Sequence, residues 1–242
     1  GPALQALDAM NGVNGIAPLH DLHTALIQDY ADHVEEAKAS FQRVLGGAQT
    51  PTWRVAELAG NFFERHRNAA DAKEIYQRVG REQGTIDVTS AGLDRLAKGT
   101  VPPRLLATPA DGAAEAMFDL AGLLNLPQTM DASLIYARLA LDLAPRFALA
   151  QMLVGEIRNA QRRPDEALAL YEAVDSKSPY SWMARLRGAL ELDALDRTDE
   201  AASRLKALLG FLAVVALRLL ALKWQEREQP QAAVPADLDT AE

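Results

Sequence analysis

The sequence predicts an all-α protein built as a superhelical solenoid of about five helix pairs with a long C-terminal capping helix. Three observations lead to this fold class. Leu and Ala dominate the 242 residues, only 6% are aromatic, and no stretch alternates apolar and polar residues as a strand would. Apolar residues recur instead at the spacing of one helix face. A pattern of small, apolar and proline residues also repeats from 114–147 to 148–181, a period of 34 residues that is typical of stacked helix pairs.

The clearest repeat runs from Ala148 to Ser181 and predicts a helix, a tight turn and a second helix. Small residues at Gly155 and Ala167 allow the two helix backbones to approach closely. Tyr171 fills the space beside them, and Pro179 ends the second helix because proline cannot continue its hydrogen-bond pattern. This stretch sets the register for the rest of the chain.

Two neighbouring units keep this register. Residues 114–147 precede the clearest repeat without a gap, and residues 182–209 follow it. The matching positions hold Leu120, Ala121, Leu124, Ser133, Ala137, Ala140 and Pro145 in the first of these units and Ala189, Leu192, Ala201, Leu205 and Leu208 in the second. Because two consecutive units in phase are hard to produce by chance, they predict helix pairs that stack on one another.

Two further units are predicted in the N-terminal half. Residues 18–51 form a degenerate unit, and residues 53–86 fit the register well. The matching residues are Ala37 and Phe41 in the first unit and Ala59, Gly60, Phe63, Ala72, Tyr76 and Val79 in the second. Residues 87–113 break the period and contain three prolines. We expect an insertion there, with a short helix at 90–98, that folds over one edge of the solenoid.

Both ends of the chain lie outside the predicted solenoid, which spans residues 16–209. Residues 1–15 are expected to be a lead-in that begins with the remnant of a cleaved tag, Gly1-Pro2. Residues 210–226 should continue the last repeat as a helix. The polar and acidic residues 227–242 should form a flexible tail.

The run from 205 to 224 is apolar almost all round and invites comparison with a membrane span. Its longest uncharged part, residues 207–217, is shorter than the roughly 18 to 20 residues that a bilayer requires. No transmembrane segment is therefore predicted. A buried, capping or dimer-forming helix is expected instead.

The composition argues against several classes of function. A net charge of -8 and a pI near 5.1 disfavour a general role in binding nucleic acid, whose phosphates attract a basic surface. The absence of cysteine excludes disulfides, thiolate catalysis and cysteine-ligated metals. The sequence also lacks glycine-rich phosphate loops, dinucleotide fingerprints and serine-hydrolase motifs. We therefore predict no catalytic residue, no cofactor and no enzymatic activity.

His20 and His23 have a spacing that could offer two ligands to a metal ion, with Asp21 between them. The sequence fixes no third ligand nearby and contains no HExxH motif. These side chains are therefore interpreted as surface or capping histidines, and no metal site is predicted.

The repeat pattern resembles the tetratricopeptide repeat (TPR), whose helix pairs have the same period. The phrases ATPADGAAEAMFDLAGLL, IYARLALDLAP and RRPDEALALYEAV further resemble the middle of alphaproteobacterial multi-repeat TPR proteins, over roughly residues 15–205. This resemblance implies an interaction scaffold, a fragment flanked by further repeats, and an extracytoplasmic (periplasmic) setting, with the cytoplasm as the open alternative. Residues 204–223 instead resemble the C-terminal helix of DDE transposases, which implies dimer contacts or a replacement cap.

In a TPR solenoid the first helix of each pair lines a concave groove that binds a peptide or a helix. The groove-facing candidates are Arg54, Glu57, Asn61, Arg65, Phe118, Asn125, Leu149, Met152, Glu156, Asn159, Met183 and Leu186. A clamp for a C-terminal carboxylate is not expected, because Glu57 stands where such a clamp needs lysine. The predicted partner is a peptide or protein with polar groups at one end and apolar groups at the other.

Two alternatives stay open at this point. The protein itself could fill the apolar end of the groove, with either the helix at 205–224 or the insertion. The chain could also be a structural protein that forms a homodimer through residues 205–224.

Overall fold

The computed structural model describes residues 1–9, 16–47, 51–83 and 87–210, which are all-α and contain no strand. The helices are α1 (Pro2–Asp8), α2 (Ala17–Tyr30), α3 (Val34–Leu45), α4 (Trp53–Arg65), α5 (Ala69–Gln83), α6 (Asp87–Lys98), α7 (Pro109–Leu123), α8 (Met130–Leu143), α9 (Ala148–Ala160), α10 (Pro164–Glu172), α11 (Ser181–Ala194) and α12 (198–210). The predicted fold class is confirmed. The predicted tail and most of the transposase-like segment lie outside the described residues.

Four hairpin turns share one backbone geometry. Each contains a residue in the left-handed region, and these residues are Asp32, Arg67, Arg162 and Asp196, with φ of 58°, 56°, 59° and 58°. The following residue then donates its backbone N–H to a carbonyl near the end of the preceding helix, as Arg163 does to Arg158 at 2.9 Å. The hairpins α2/α3, α4/α5, α9/α10 and α11/α12 are therefore variants of one unit.

In the hairpins α4/α5 and α9/α10 the two helices pack closely because the first helix has a glycine, which lacks a Cβ atom, at the contact. A Cβ built at Gly155 would lie 2.6 Å from the ring of Tyr171, and one at Gly60 would lie 2.3 Å from the ring of Tyr76. Carbon atoms in contact are normally about 3.5–4.0 Å apart. The small residues predicted at the other repeat positions are buried: Ala72, Ala121, Ser133, Ala137, Ala167, Ala189 and Ala201. The structure thus has the predicted TPR register.

The hairpins form two arrays, α2–α6 and α7–α12. In the first array α6 packs against both α4 and α5, in the place where the first helix of another hairpin would stand. In the second array α11 packs in the same way against α9 and α10. The arrays meet where α7 packs against α2. An ion pair between Arg54 of α4 and Glu115 of α7 also joins the arrays.

The insertion supplies both a helix and a connection. The helix predicted at 90–98 lies within α6. Residues 99–108, which we call the strap, have no regular structure and return from α6 across α4 to the end of α2. A capping box between Thr108 and Asp111 then starts α7. Among the described residues, no helix has both the length and the apolar composition to span a bilayer.

Candidate functional site

Arg54 on α4 joins the two arrays. Its Nε and Nη2 donate to Glu115 of α7 at 2.9 and 2.5 Å, and its Nη1 donates to Glu57 at 2.7 Å. The guanidinium carbon also lies 5.1 Å from the centre of the Phe147 ring. Burial disfavours the charged guanidinium, but the attraction and hydrogen bonds of Glu115, with the charge of Glu57, outweigh burial and raise the pKa of Arg54. Arg54 is thus a charged internal cross-link.

Glu57 also contacts the second array. The hydroxyl of Tyr180, which precedes α11, donates to Glu57 Oε2 at 2.7 Å. Burial first, and then the charge of Glu57, raise the pKa of Tyr180. Arg54 and Glu57, both predicted to face a ligand, therefore contact the protein itself in this structure.

The strap lies against α4 at Asn61, a predicted groove residue. Asn61 donates its Nδ2 to the carbonyl of Pro103 at 2.8 Å, and its Oδ1 accepts a hydrogen bond from Arg65 Nε at 3.0 Å. Arg65 also donates to the buried Asp29 of α2 at 2.5 Å. An amide side chain of α4 thus binds the proline-containing backbone of the strap.

Arg104, the next residue of the strap, fastens it to α2. Its Nη2 donates to the carbonyl of Asp29 at 2.9 Å and to Oδ1 of Asp32 at 2.6 Å. A cation is favourable there because the carbonyl groups at a helix C-terminus carry partial negative charge. The hydrogen bond and then the charge of Arg104 lower the pKa of Asp32. The strap is therefore held at both Pro103 and Arg104.

Four apolar candidates pack within the protein. The ring of Phe118 lies 5.0 Å from that of Phe147. Met152 is 4% exposed, in a cluster against which Leu149 and Met183 also pack. Met152 is therefore buried, whereas Phe118, Leu149 and Met183 are half-buried against neighbouring helices.

The remaining four candidates lie on the second array, and two of them line an open cleft. Asn125 is exposed at the end of α7, and Leu186 is half-buried on α11. Glu156 and the exposed Asn159 line a cleft between α9 and α11 with a volume of about 330 Å³. Glu156 and Asn159 are thus accessible from this cleft.

Sequence reasoning missed two charged residues of this cleft, Arg187 and Glu191. Arg187 forms an ion pair with Glu156. Glu191 is 4% exposed, and its Oε2 is buried without a hydrogen-bond partner in the described part of the chain. Burial raises the pKa of Glu191 and, together with the charge of Glu191, raises the pKa of Tyr171 to about 12.

The first array contains a buried charge cluster that was also not predicted. Glu64 of α4 accepts hydrogen bonds from Arg95 Nε and Nη2 at 2.9 and 2.7 Å, and from the Tyr76 hydroxyl at 2.7 Å. Arg95 belongs to α6, which lies in the insertion, so the repeat period could not predict its partner. Burial and then the hydrogen bond to Glu64 raise the pKa of Tyr76.

The two N-terminal histidines lie beside carboxylates of different helices. His20 Nε2 is 3.5 Å from Asp8 of α1, and His23 Nε2 is 3.0 Å from Asp119 of α7. Both line an apolar cavity of about 570 Å³ between α1, α2 and α7. Within the described ranges, no group of three or more histidine or carboxylate side chains is placed to hold a metal ion.

Comparison with known proteins identifies similar solved structures only. No family model matches the chain, and no curated protein matches it. A crystal structure of MamA is 16% identical with a TM-score of 0.40, over 79% of this chain and 96% of that one. YrrB, described as a TPR protein with an unusual peptide-binding site, is 16% identical with a TM-score of 0.39, over 91% of this chain and all of that one. From its own hairpins, turns and register, the described chain is an all-α helical-repeat solenoid of the TPR type.

Proposed function

We propose that this protein is a non-enzymatic interaction scaffold that binds a peptide or helix on the open concave surface of α9 and α11. The observation that carries the proposal is the unequal use of the predicted groove. Arg54, Asn61 and Arg65 in the first array already bind Glu115, the strap and Asp29. In the second array, the cleft lined by Glu156 and Asn159 is open.

The chemistry of this surface suits a peptide with both charged and apolar groups. Leu190 is 59% exposed at the edge of the cleft, and Leu186 lies one helical turn away. Glu156, Arg187 and Glu191 add charge beside these leucines. Exposed apolar side chains next to a few polar groups are typical of peptide-binding grooves.

The experiment is selection of peptides from a random displayed library against the full chain, followed by affinity measurement with two variants. Asn159→Arg adds a long charged side chain at an exposed position of the cleft and should weaken the selected peptides at least about tenfold, as expected for loss of one good contact. Gln128→Arg adds the same side chain at an exposed position in the α7/α8 turn. It should leave the affinity unchanged.

Equal affinity of the selected peptides for both variants would place their binding elsewhere and refute the proposal. Circular dichroism spectra should match the unsubstituted protein in both cases, because each substituted side chain is exposed. Failure of the library to yield any peptide would also count against a peptide-binding scaffold.

Self-association is a second candidate function, favoured by one exposed side chain. Leu209 on α12 is 62% exposed and lies in the apolar run at 205–224. An exposed large apolar residue in such a run is suited to contact a second copy. Light scattering over a wide concentration range should then show a dimer, and Leu209→Lys should shift it to monomer. A strictly monomeric protein would refute this candidate.

A further inference from the structure

The two arrays contain equivalent positions with different charges. In the first array, Glu64 follows Gly60 of α4 by four residues, and Tyr76 packs on that glycine. In the second array, Asn159 follows Gly155 of α9 by four residues, and Tyr171 packs on that glycine. Asn159 therefore stands where the first array has the buried carboxylate of Glu64.

The next helix of each array can be matched in the same way. A Cβ added at Gly92 of α6 would lie 2.3 Å from Tyr76, and one at Gly188 of α11 would lie 3.7 Å from Tyr171. Three residues beyond these glycines, the chain has Arg95 in α6 and Glu191 in α11. The arginine that neutralises the first array's carboxylate is thus replaced by a carboxylate in the second array.

Among the described residues, no cation pairs with Glu191, whereas the counterpart cluster contains Arg95. Glu191 is 4% exposed, and its Oε2 has no hydrogen-bond partner among the described residues. Arg187, which lines the cleft, pairs with Glu156 from α9. A buried carboxylate without a partner is costly, and a cation with hydrogen-bond donors would remove that cost.

We infer that the cleft between α9 and α11 binds an arginine side chain of a peptide ligand, with Glu191 as the acceptor. Arg95 provides the template, because its guanidinium reaches Glu64 with two nitrogens. The exposed Leu190 can cover the aliphatic part of the ligand's arginine. The inference rests on the proposed function and names the side chain that the peptide would insert.

The first test uses three blocked tripeptides, acetyl-Gly-Arg-Gly-amide and its Lys and Gln analogues, titrated into the full chain and followed by backbone amide NMR. The arginine peptide should shift the signals of Asn159 and Glu191, the lysine peptide should bind more weakly, and the glutamine peptide should cause no shift there. Glu191→Gln should weaken the arginine peptide about tenfold, as expected for loss of one charged hydrogen bond. The matched control is Glu200→Gln on α12, which neutralises an exposed carboxylate that pairs with Arg197.

A second test builds the missing cation into the chain. The double variant Asn159→Glu, Glu191→Arg copies the charges of Glu64 and Arg95 into the second array. It should raise the melting temperature above that of the Asn159→Glu single variant, because the new arginine pairs with the new carboxylate. It should also abolish the shifts that the arginine peptide causes, because the cleft then contains its own guanidinium.

The inference is overturned if the arginine peptide causes no shifts in the cleft, or if Glu191→Gln binds it as well as the unsubstituted protein does. Its failure can be separated from failure of the proposed function. Library peptides that bind the cleft without needing arginine would support the scaffold and refute this inference. If the library yields no peptide but the arginine tripeptide binds in a manner that depends on Glu191, the result would support this inference and refute the scaffold.

Discussion

Arg54→Met should destabilise the protein by about 3–5 kcal/mol, the usual cost of removing one partner of a buried ion pair. Met keeps the approximate length of the arginine stem but removes three hydrogen bonds, two to Glu115 and one to Glu57. Glu115 is 0% exposed, so it would be left with a buried charge and no cation. The loss of stability should therefore exceed any gain from the apolar contacts of the Met side chain.

The assay is urea unfolding at pH 7, followed by far-ultraviolet circular dichroism, for a double-mutant cycle of Arg54→Met and Glu115→Met. The double variant replaces both charges by apolar side chains and should be more stable than Arg54→Met alone. The coupling free energy should be about 2–3 kcal/mol, near the upper end for residues in contact. Arg197→Met, which removes an exposed pair with Glu200, should change stability by less than about 1 kcal/mol.

Two results would refute this reasoning. If Arg54→Met costs no more than Arg197→Met, the ion pair between the arrays does not hold them together. If the two single changes add without coupling, Arg54 and Glu115 stabilise the fold independently, and the buried pair is not the contact that joins α4 to α7.

Three further predictions follow from the packing, the strap and the tyrosines. Gly155→Ala should destabilise the protein by about 1–3 kcal/mol, because the added Cβ would lie 2.6 Å from Tyr171. Gly122→Ala should stabilise it by about 0.5–1 kcal/mol, because a Cβ there would have no atom within 4 Å. Thermal unfolding of both variants is the check. Asn61→Ala releases the carbonyl of Pro103 and should speed trypsin cleavage after Arg104 several-fold, whereas Asn125→Ala should not, and equal cleavage rates would contradict the strap's attachment. Burial raises the pKa of Tyr171 to about 12 from a usual value of about 10, so the folded protein keeps a proton that the unfolded chain loses. Stability should therefore fall as pH rises from about 10 to about 12, and Tyr171→Phe should lessen the fall in urea unfolding at high pH.

Much of the fold could be predicted from the sequence because its causes are local. One short unit contains the helical spacing of apolar residues, the small residues Gly155 and Ala167, and the tyrosine that packs on the glycine. A hairpin of this kind forms from residues close together in the chain, so periodicity alone predicts it. The candidate positions on α9, Glu156 and Asn159, follow from the same register.

The state of the groove could not be predicted in this way. Arg54 was placed on the concave side of its helix, but its partner Glu115 is 61 positions away and belongs to a helix that follows the insertion. Asn61 likewise contacts Pro103 across 42 positions. Periodicity describes which side of a helix a residue occupies and contains no information on which distant segment covers that side.

By itself, the sequence determined an all-α chain of helix pairs in a common register, because helix formation, tight turns and glycine–tyrosine packing depend on neighbouring residues. Only the tertiary structure decided which predicted groove residues stay open. The contact of α7 with α2 brings Glu115 to Arg54, and the strap reaches Asn61, so the first array's groove is used internally. Within the described part of the chain, the same fold leaves Glu191 of the second array buried without a cation, because the side chains that the fold brings beside a charge decide whether it is paired.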